Sequence, residues 1–270
     1  MIVVSLLAVV SVRAAGQSLP VTLQIRPRAG DTLRLRLDQT VDMVGTTRSG
    51  ESDLTSSEAH TMVVLTRLAV ESTDVEGATV TALTDSVRLT SSGSKESEPM
   101  LGWARAMQGQ RFRFRVARDG TTSLAAGESS NASKLGAFLA QLPATLPKDA
   151  ILPGATWTRT MEIPLSTPAE RRGTATMSAT FRFDSLSRAG DLAFLSVKGR
   201  LTRSASYERG SSAPASDMGG TMSGAVIVDR RRGWITDARA LVSVRSLIYG
   251  ARNATPIKVR MRITQWMRVQ

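Results

Sequence analysis

The sequence predicts a mainly β protein: a long curved antiparallel sheet or half-barrel, built from two β-meander repeats, with one amphipathic helix covering its concave face. Three observations predict it. Apolar and polar residues alternate over long segments, tight-turn signals separate these segments, and a helical apolar spacing stands out in one place. Strict alternation is typical of strands with one wet and one dry face, which occur in antiparallel sheets.

Predicted strands follow one another along most of the chain. They cover 21–27, 31–45, 58–72, 77–91, 110–118, 121–125, 155–165, 173–187, 191–207, 219–229, 234–248 and 256–269. Several are more than twice as long as the usual strand of about five or six residues. Long twisted strands favour a curved sheet or barrel over a compact sandwich. Asp119-Gly120 and Arg232-Gly233 are typical of the tight turns between such strands.

One segment has the spacing of a helix instead. Between Ser130 and Leu142, apolar residues recur at intervals of three and four, and Pro143 follows. This pattern predicts an amphipathic helix of about three turns that needs an apolar surface to cover, namely the dry face of the sheet. A second, shorter helical turn is expected within Pro99–Met107.

The order of strands and turns is similar in the two halves of the chain. We interpret this as a duplicated β-meander, although every meander repeats strand and turn, so coincidence is the alternative. The predicted organisation is a signal peptide over 1–16, a first repeat over 17–128, a helix and linker over 129–148, and a second repeat over 149–270, with the halves packed as one unit.

The N-terminus predicts export. Residues Met1–Val12 are apolar except for two serines, and Ala14-Ala15-Gly16 offers small residues for cleavage. This run is too short to span a membrane and fits a signal peptide, although no Lys or Arg precedes it. A buried N-terminal strand is the alternative. We expect a periplasmic or extracellular protein whose mature chain has no integral membrane segment.

Composition excludes several kinds of site. The 270 residues include no Cys and one His, so disulfides, thiolate zinc sites, iron–sulfur clusters and lipid attachment to Cys are excluded. The net charge is +12, but aromatic residues make up only 4%, and the arginines alternate with apolar residues along strands. We therefore expect no nucleic-acid partner. The arginines form a solvated surface, or one attracted to an anionic envelope surface.

Structural motifs, such as Gly30-Asp31-Thr32, the hairpin over 112–120 and the turn Leu152–Trp157, carry a resemblance. The chain resembles an uncharacterised family of secreted bacterial proteins classed only as a domain of unknown function, over residues 20–269. It departs from the many lipoprotein-like members by lacking a lipobox Cys. The resemblance implies no activity, cofactor or functional residue. In architecture the predicted sheet is also similar to periplasmic lipoprotein carriers, which is an analogy of fold.

No catalytic motif is convincing. His60 lies near Glu58, but the sequence identifies no nucleophile beside it. Ser92-Gly93-Ser94-Lys95 has a serine–lysine spacing without the accompanying motifs of the enzymes that use it. We expect no enzyme, cofactor or metal, although carboxylates paired across a sheet are invisible in a sequence.

Apolar residues predicted on the dry face are the candidate ligand-binding residues. They are Leu35, Leu37, Phe112, Phe114, Trp157, Phe181 and Phe183. Simple core is the alternative role. The first hypothesis is a non-catalytic exported envelope protein that binds a lipid or another apolar or amphipathic ligand in the concave face. The second is a structural or interaction module with a filled core that recognises a protein or an anionic polysaccharide through its loops or basic face. The third is an undetected hydrolase.

Overall fold

The computed structural model describes residues 19–49, 51–92, 98–124, 146–167, 170–203, 216–248 and 256–270. Within them it has eleven strands and one helix. These are β1 (Thr32–Ser49), β2 (Ser52–Thr73), β3 (Gly77–Ser92), α1 (Glu98–Met107), β4 (Arg111–Ala117), β5 (Thr122–Leu124), β6 (Thr156–Thr167), β7 (Glu170–Leu186), β8 (Leu192–Arg203), β9 (Ser216–Asp229), β10 (Trp234–Ile248) and β11 (Ile257–Val269).

All eleven strands belong to one antiparallel sheet. Their order is β5-β4-β3-β2-β1-β11-β10-β9-β8-β7-β6, so strands that follow one another in sequence are paired, except β5 and β6, and the first and last strands also pair with each other. In the described residues β5 and β6 are the two edges and do not pair, so the sheet is not closed. The predicted mainly β, antiparallel fold is confirmed.

Burial along the strands explains why they form a curved sheet. In β4, Phe112, Phe114 and Val116 are buried, while Arg111 and Arg113, which alternate with them, are exposed. Removing one apolar face from water is the main favourable contribution to such a sheet. The arginines of the predicted alternating strands thus lie on its convex, solvated side.

Two clusters of buried side chains show how far the sheet curls. The larger includes Phe112 and Phe114 of β4 together with Phe183 of β7, although seven strands lie between β4 and β7 in the sheet. Only a strongly curled sheet brings both flanks into one core. The smaller cluster, which includes Met177 and Phe181, fills the concave side of the β6–β11 half.

An extended segment, residues 19–31, crosses one end of the curled sheet. The Ile25 N–H donates to the Arg118 carbonyl in the β4–β5 turn, at 2.8 Å, and the Arg26 N–H donates to the Gly233 carbonyl in the β9–β10 turn, also at 2.8 Å. The segment therefore ties the two sides of the sheet together. We call residues 19–31 the cap, and this end of the sheet the capped end.

The prediction of a strand over 21–27 is wrong, because this part of the cap makes only an isolated bridge, between Val21 and Ile151. Its alternation was nevertheless meaningful, since Val21, Leu23 and Ile25 are all buried. A segment that crosses the ends of strands forms single hydrogen bonds to the carbonyls of separate turns. It can bury every second side chain without forming a ladder.

The helical turn predicted within Pro99–Met107 is confirmed as α1, whose Ala104 and Met107 are buried. The longer helix predicted over 131–142 lies outside the described residues, as does the predicted signal peptide over 1–16. The two-repeat organisation stays a prediction.

Arg159 is an exception to the outward direction of the arginines. It stands in β6 between Trp157 and Met161, which pack against the smaller cluster, and its Nη2 donates to the Leu146 carbonyl at 3.2 Å. Among the described residues its buried Nε has no hydrogen-bond partner. One inward arginine at the edge of the sheet leaves the apolar character of the interior unchanged.

Candidate ligand-binding site

A cavity of about 120 Å³ lies inside the curled sheet, above the cap. Apolar side chains from both sides of the sheet make up most of its wall. The lining residues are Ile25, Leu35, Leu37, Val64, Thr66, Leu68, Thr84, Phe112, Phe114, Val116, Gly120, Thr122, Val197, Val226, Trp234, Ile235, Ala238, Arg239, Ala240, Gln265 and Met267. The cavity is therefore formed by the fold as a whole, with the cap as its floor.

Four of the seven predicted ligand-binding residues line this cavity: Leu35 and Leu37 from β1, and Phe112 and Phe114 from β4. The two phenylalanine rings stack with their centroids 5.7 Å apart. They present a flat apolar wall, so the structure brings these four predicted residues together at one site.

The other three predicted residues are packed elsewhere. Trp157 and Phe181 stack on each other at the smaller cluster, with ring centroids 5.6 Å apart. Phe183 is fully buried within the larger cluster. None of the three borders the cavity, because β6 and β7 contribute no lining residue. Their role is to fill the core.

Several lining residues were not singled out by sequence reasoning. Val64 and Leu68 lie on the same face of β2, and Ile235 and Met267 come from β10 and β11. The alternation over 58–72 marks Val64 and Leu68 as inward-facing. However, an alternating pattern does not distinguish a side chain beside a void from one in a filled core.

The wall of the cavity contains few polar groups. Thr66, Thr84, Thr122 and Gln265 line it, and Thr84 is the buried polar residue of the described chain. Arg239 also borders it, but its guanidinium lies 4.5 Å from the centre of the Trp266 ring, with the side chain mostly exposed on the convex side. The interior thus offers hydroxyl and amide groups and no charged group.

A second constellation lies on the same concave face, towards the end of the sheet away from the cap. His60 Nδ1 is 2.9 Å from Ser91 Oγ across the β2–β3 pair, and His60 Nε2 is 3.5 Å from Glu58 Oε2. A hydroxyl, an imidazole and a carboxylate in this order are the groups of a nucleophile, a base and an orienting acid. Sequence reasoning missed Ser91, because the pairing of β2 with β3 alone brings it to His60.

Carboxylates on the convex side are held by arginines. Asp74, in the β2–β3 turn, accepts two hydrogen bonds from Arg115, at 2.6 and 2.7 Å, and others from the N–H groups of Glu76 and Gly77. These hydrogen bonds lower the pKa of Asp74 to about 2, and those from Arg115 contribute most to the shift. No group of three or more potential metal ligands occurs in the described part of the chain.

Comparisons with known proteins add little. Neither a protein-family model nor a curated protein matches the sequence. Among solved structures, the translocator domain of the autotransporter NalP from Neisseria meningitidis aligns with 88% of this chain and 88% of its own, at 12% identity and a TM-score of 0.16. A score of that size supports no functional argument. Within the described ranges, no helix is long and apolar enough to cross a membrane.

Proposed function

We propose that this chain is a non-catalytic, exported binding protein that holds an apolar group in the cavity of its curled sheet. The observation that supports this best is the cavity itself, which is lined from β1, β2, β4 and β8–β11 by mainly apolar side chains. Well-packed cores leave few voids larger than a water molecule. A void of this size, with an apolar wall, is suited to an apolar occupant.

The size of the cavity limits the ligand. At about 120 Å³ it is smaller than the sites of drug-sized ligands, which measure roughly 300–1,000 Å³. It matches a single aromatic ring, or a short part of an acyl chain whose remainder stays outside. Thr66, Thr84 and Gln265 provide positions where one polar atom of the ligand could be hydrogen-bonded.

Two probes of different size test the proposal. Benzene, followed by NMR shifts of the lining methyl groups, measures whether the cavity accepts a ring. A dansylated fatty acid, followed by fluorescence, measures whether an acyl chain enters. Native mass spectrometry of the purified protein then reveals any co-purified ligand.

A cavity-filling variant makes the test specific. Ala238 lines the cavity, so Ala238→Leu should weaken binding of the successful probe about tenfold or more. Ala225→Leu adds the same side chain at an exposed position of β9, opposite Arg239, and should leave binding unchanged. The proposal fails if wild-type protein binds neither probe, or if the two variants behave alike.

The Ser91–His60–Glu58 arrangement favours a second candidate, a serine hydrolase. In such an enzyme the Ser91 hydroxyl would pass its proton to His60 Nδ1 while Oγ attacks an ester carbonyl. The alcohol would leave with that proton, and water would then release the acyl group. A fluorophosphonate probe that labels wild-type protein but not the Ser91→Ala or His60→Gln variant would establish this candidate. Absence of labelling would rule it out.

A further inference from the structure

A groove runs along the outer side of the cap, separated from the cavity by the cap itself. Its volume is about 990 Å³, and its walls are the cap, the β2–β3 turn and the β4–β5 and β9–β10 turns. Five arginines line it. They are Arg26, Arg28, Arg118, Arg230 and Arg231. We call this groove the arginine cleft.

Backbone hydrogen bonds fix the chain segments that carry these arginines. The Arg26 N–H donates to the Gly233 carbonyl, and the Arg118 carbonyl accepts from Ile25. The Arg230 N–H donates to the Asp191 carbonyl at 2.8 Å. Three separate elements are thus fixed to one another at the cleft, so the backbone positions that carry Arg26, Arg118 and Arg230 are held beside the same groove.

Carboxylates do not neutralise the centre of the cleft. Asp74 is its one acidic lining residue, and both of its oxygens are already engaged by Arg115. In the described part of the chain, Arg26 and Arg118 form no ion pair, and Arg230 donates from Nη1 to a carbonyl, that of Gly190. Cations that line one groove without counter-charges produce a positive local potential.

The margin of the cleft differs from its centre. Arg28 and Arg231 also border a neighbouring groove that contains Asp31, Asp191 and Asp229. Their charge is therefore partly balanced. This leaves Arg26, Arg118 and Arg230 as the cations available to an incoming anion.

We propose that the arginine cleft binds phosphate groups of a larger anionic molecule. Guanidinium groups match the oxygens of phosphate bidentately, and three of them suit a multiply charged oxyanion better than a single carboxylate. The groove is larger than one phosphate needs, which fits phosphates carried on a larger body, either a soluble polyphosphorylated molecule or the head groups of a phospholipid surface. This site is independent of the apolar cavity.

Tripolyphosphate is the soluble probe. We expect it to bind the wild-type protein in calorimetric titrations at low salt, and more weakly at 0.15 M salt, where screening acts over about 8 Å. The triple variant Arg26→Gln, Arg118→Gln, Arg230→Gln should lose about tenfold or more in affinity. Arg262→Gln, Arg260→Gln, Lys258→Gln removes the same charge from the exposed side of β11 and should keep wild-type affinity.

Vesicles distinguish the two sources of phosphate. Co-sedimentation with phosphatidylcholine vesicles containing phosphatidic acid, competed by tripolyphosphate, would identify lipid head groups. Binding of tripolyphosphate without co-sedimentation would identify a soluble ligand. The proposal is overturned if neither probe binds wild-type protein, or if the two triple variants lose affinity equally, which would indicate net charge alone. Unfolding temperatures show that both variants are folded.

Discussion

At the scale of single residues, Gly233 determines how closely the cap approaches the sheet. Its φ of +62° favours glycine, and a Cβ there would overlap the Arg26 carbonyl oxygen, which accepts no such neighbour without a shift of the backbone. The same contact carries the hydrogen bond from Arg26 to Gly233. Gly233 thus allows both the conformation of the β9–β10 turn and the close contact of the cap with that turn.

We expect Gly233→Ala to destabilise the protein by about 3 kcal/mol, because strain in the left-handed region adds to displacement of the cap. Gly154→Ala is the control. Gly154 also has a positive φ, of 91°, but open space where its Cβ would stand, so its cost is about 1 kcal/mol. Urea unfolding measures the stability of both variants. Equal losses of unfolding free energy would contradict a close contact between the cap and Gly233.

Asp74 makes stability depend on acid pH. Its pKa is about 2 in the folded protein, below the ordinary 3.8, so the stabilisation is complete above about pH 4 and is lost as pH falls towards 2. Asp74→Asn should therefore be less stable than wild type at pH 7, with the difference shrinking below pH 4. Urea midpoints between pH 7 and pH 2 measure this, with Asp53→Asn as a control for charge. A difference that is independent of pH would refute it.

At the scale of elements, the cap is the floor of the cavity and part of the core. Leu23 is 1% exposed, whereas Leu19, four residues earlier, is 81% exposed. Leu23→Ala should lower the free energy of unfolding by about 3 kcal/mol, as for other buried leucines, and Leu19→Ala by less than about 0.5 kcal/mol. Similar losses from both would show that the cap does not pack against the sheet in solution.

The elements also show what a sequence can predict. β3 and β10 lie where alternation places them, since a period of two and a dry face follow directly from local residue types. The segment 21–27 shows the same alternation but forms no strand, because pairing depends on distant turns such as Arg118 and Gly233. Likewise, four of seven predicted site residues border the cavity. Curvature decides which inward side chains face a void, and short-range pattern does not encode it.

At the scale of the whole molecule, the centre of the sheet is where the first and last described strands, β1 and β11, meet. β1 pairs with β11 from Leu35–Val269 to Thr46–Lys258, and β11 is also the partner of β10. A chain that stops at residue 256 would lose a central strand and leave two long unpaired edges. We expect such a truncation to abolish cooperative thermal unfolding and to cause aggregation. A soluble truncated protein with a sharp transition would contradict this topology.

The pairing of β1 with β11 has a consequence for synthesis. While the ribosome is still extending the chain, β1–β5 and β6–β10 can each pair with sequence neighbours, but these two groups of strands stay unjoined until β11 has left the exit tunnel. Contacts between such distant parts of the chain form slowly. Until β11 is available, the nascent protein carries open strand edges at β1 and β10, and a chaperone that shields these edges would have the most effect before β11 leaves the tunnel.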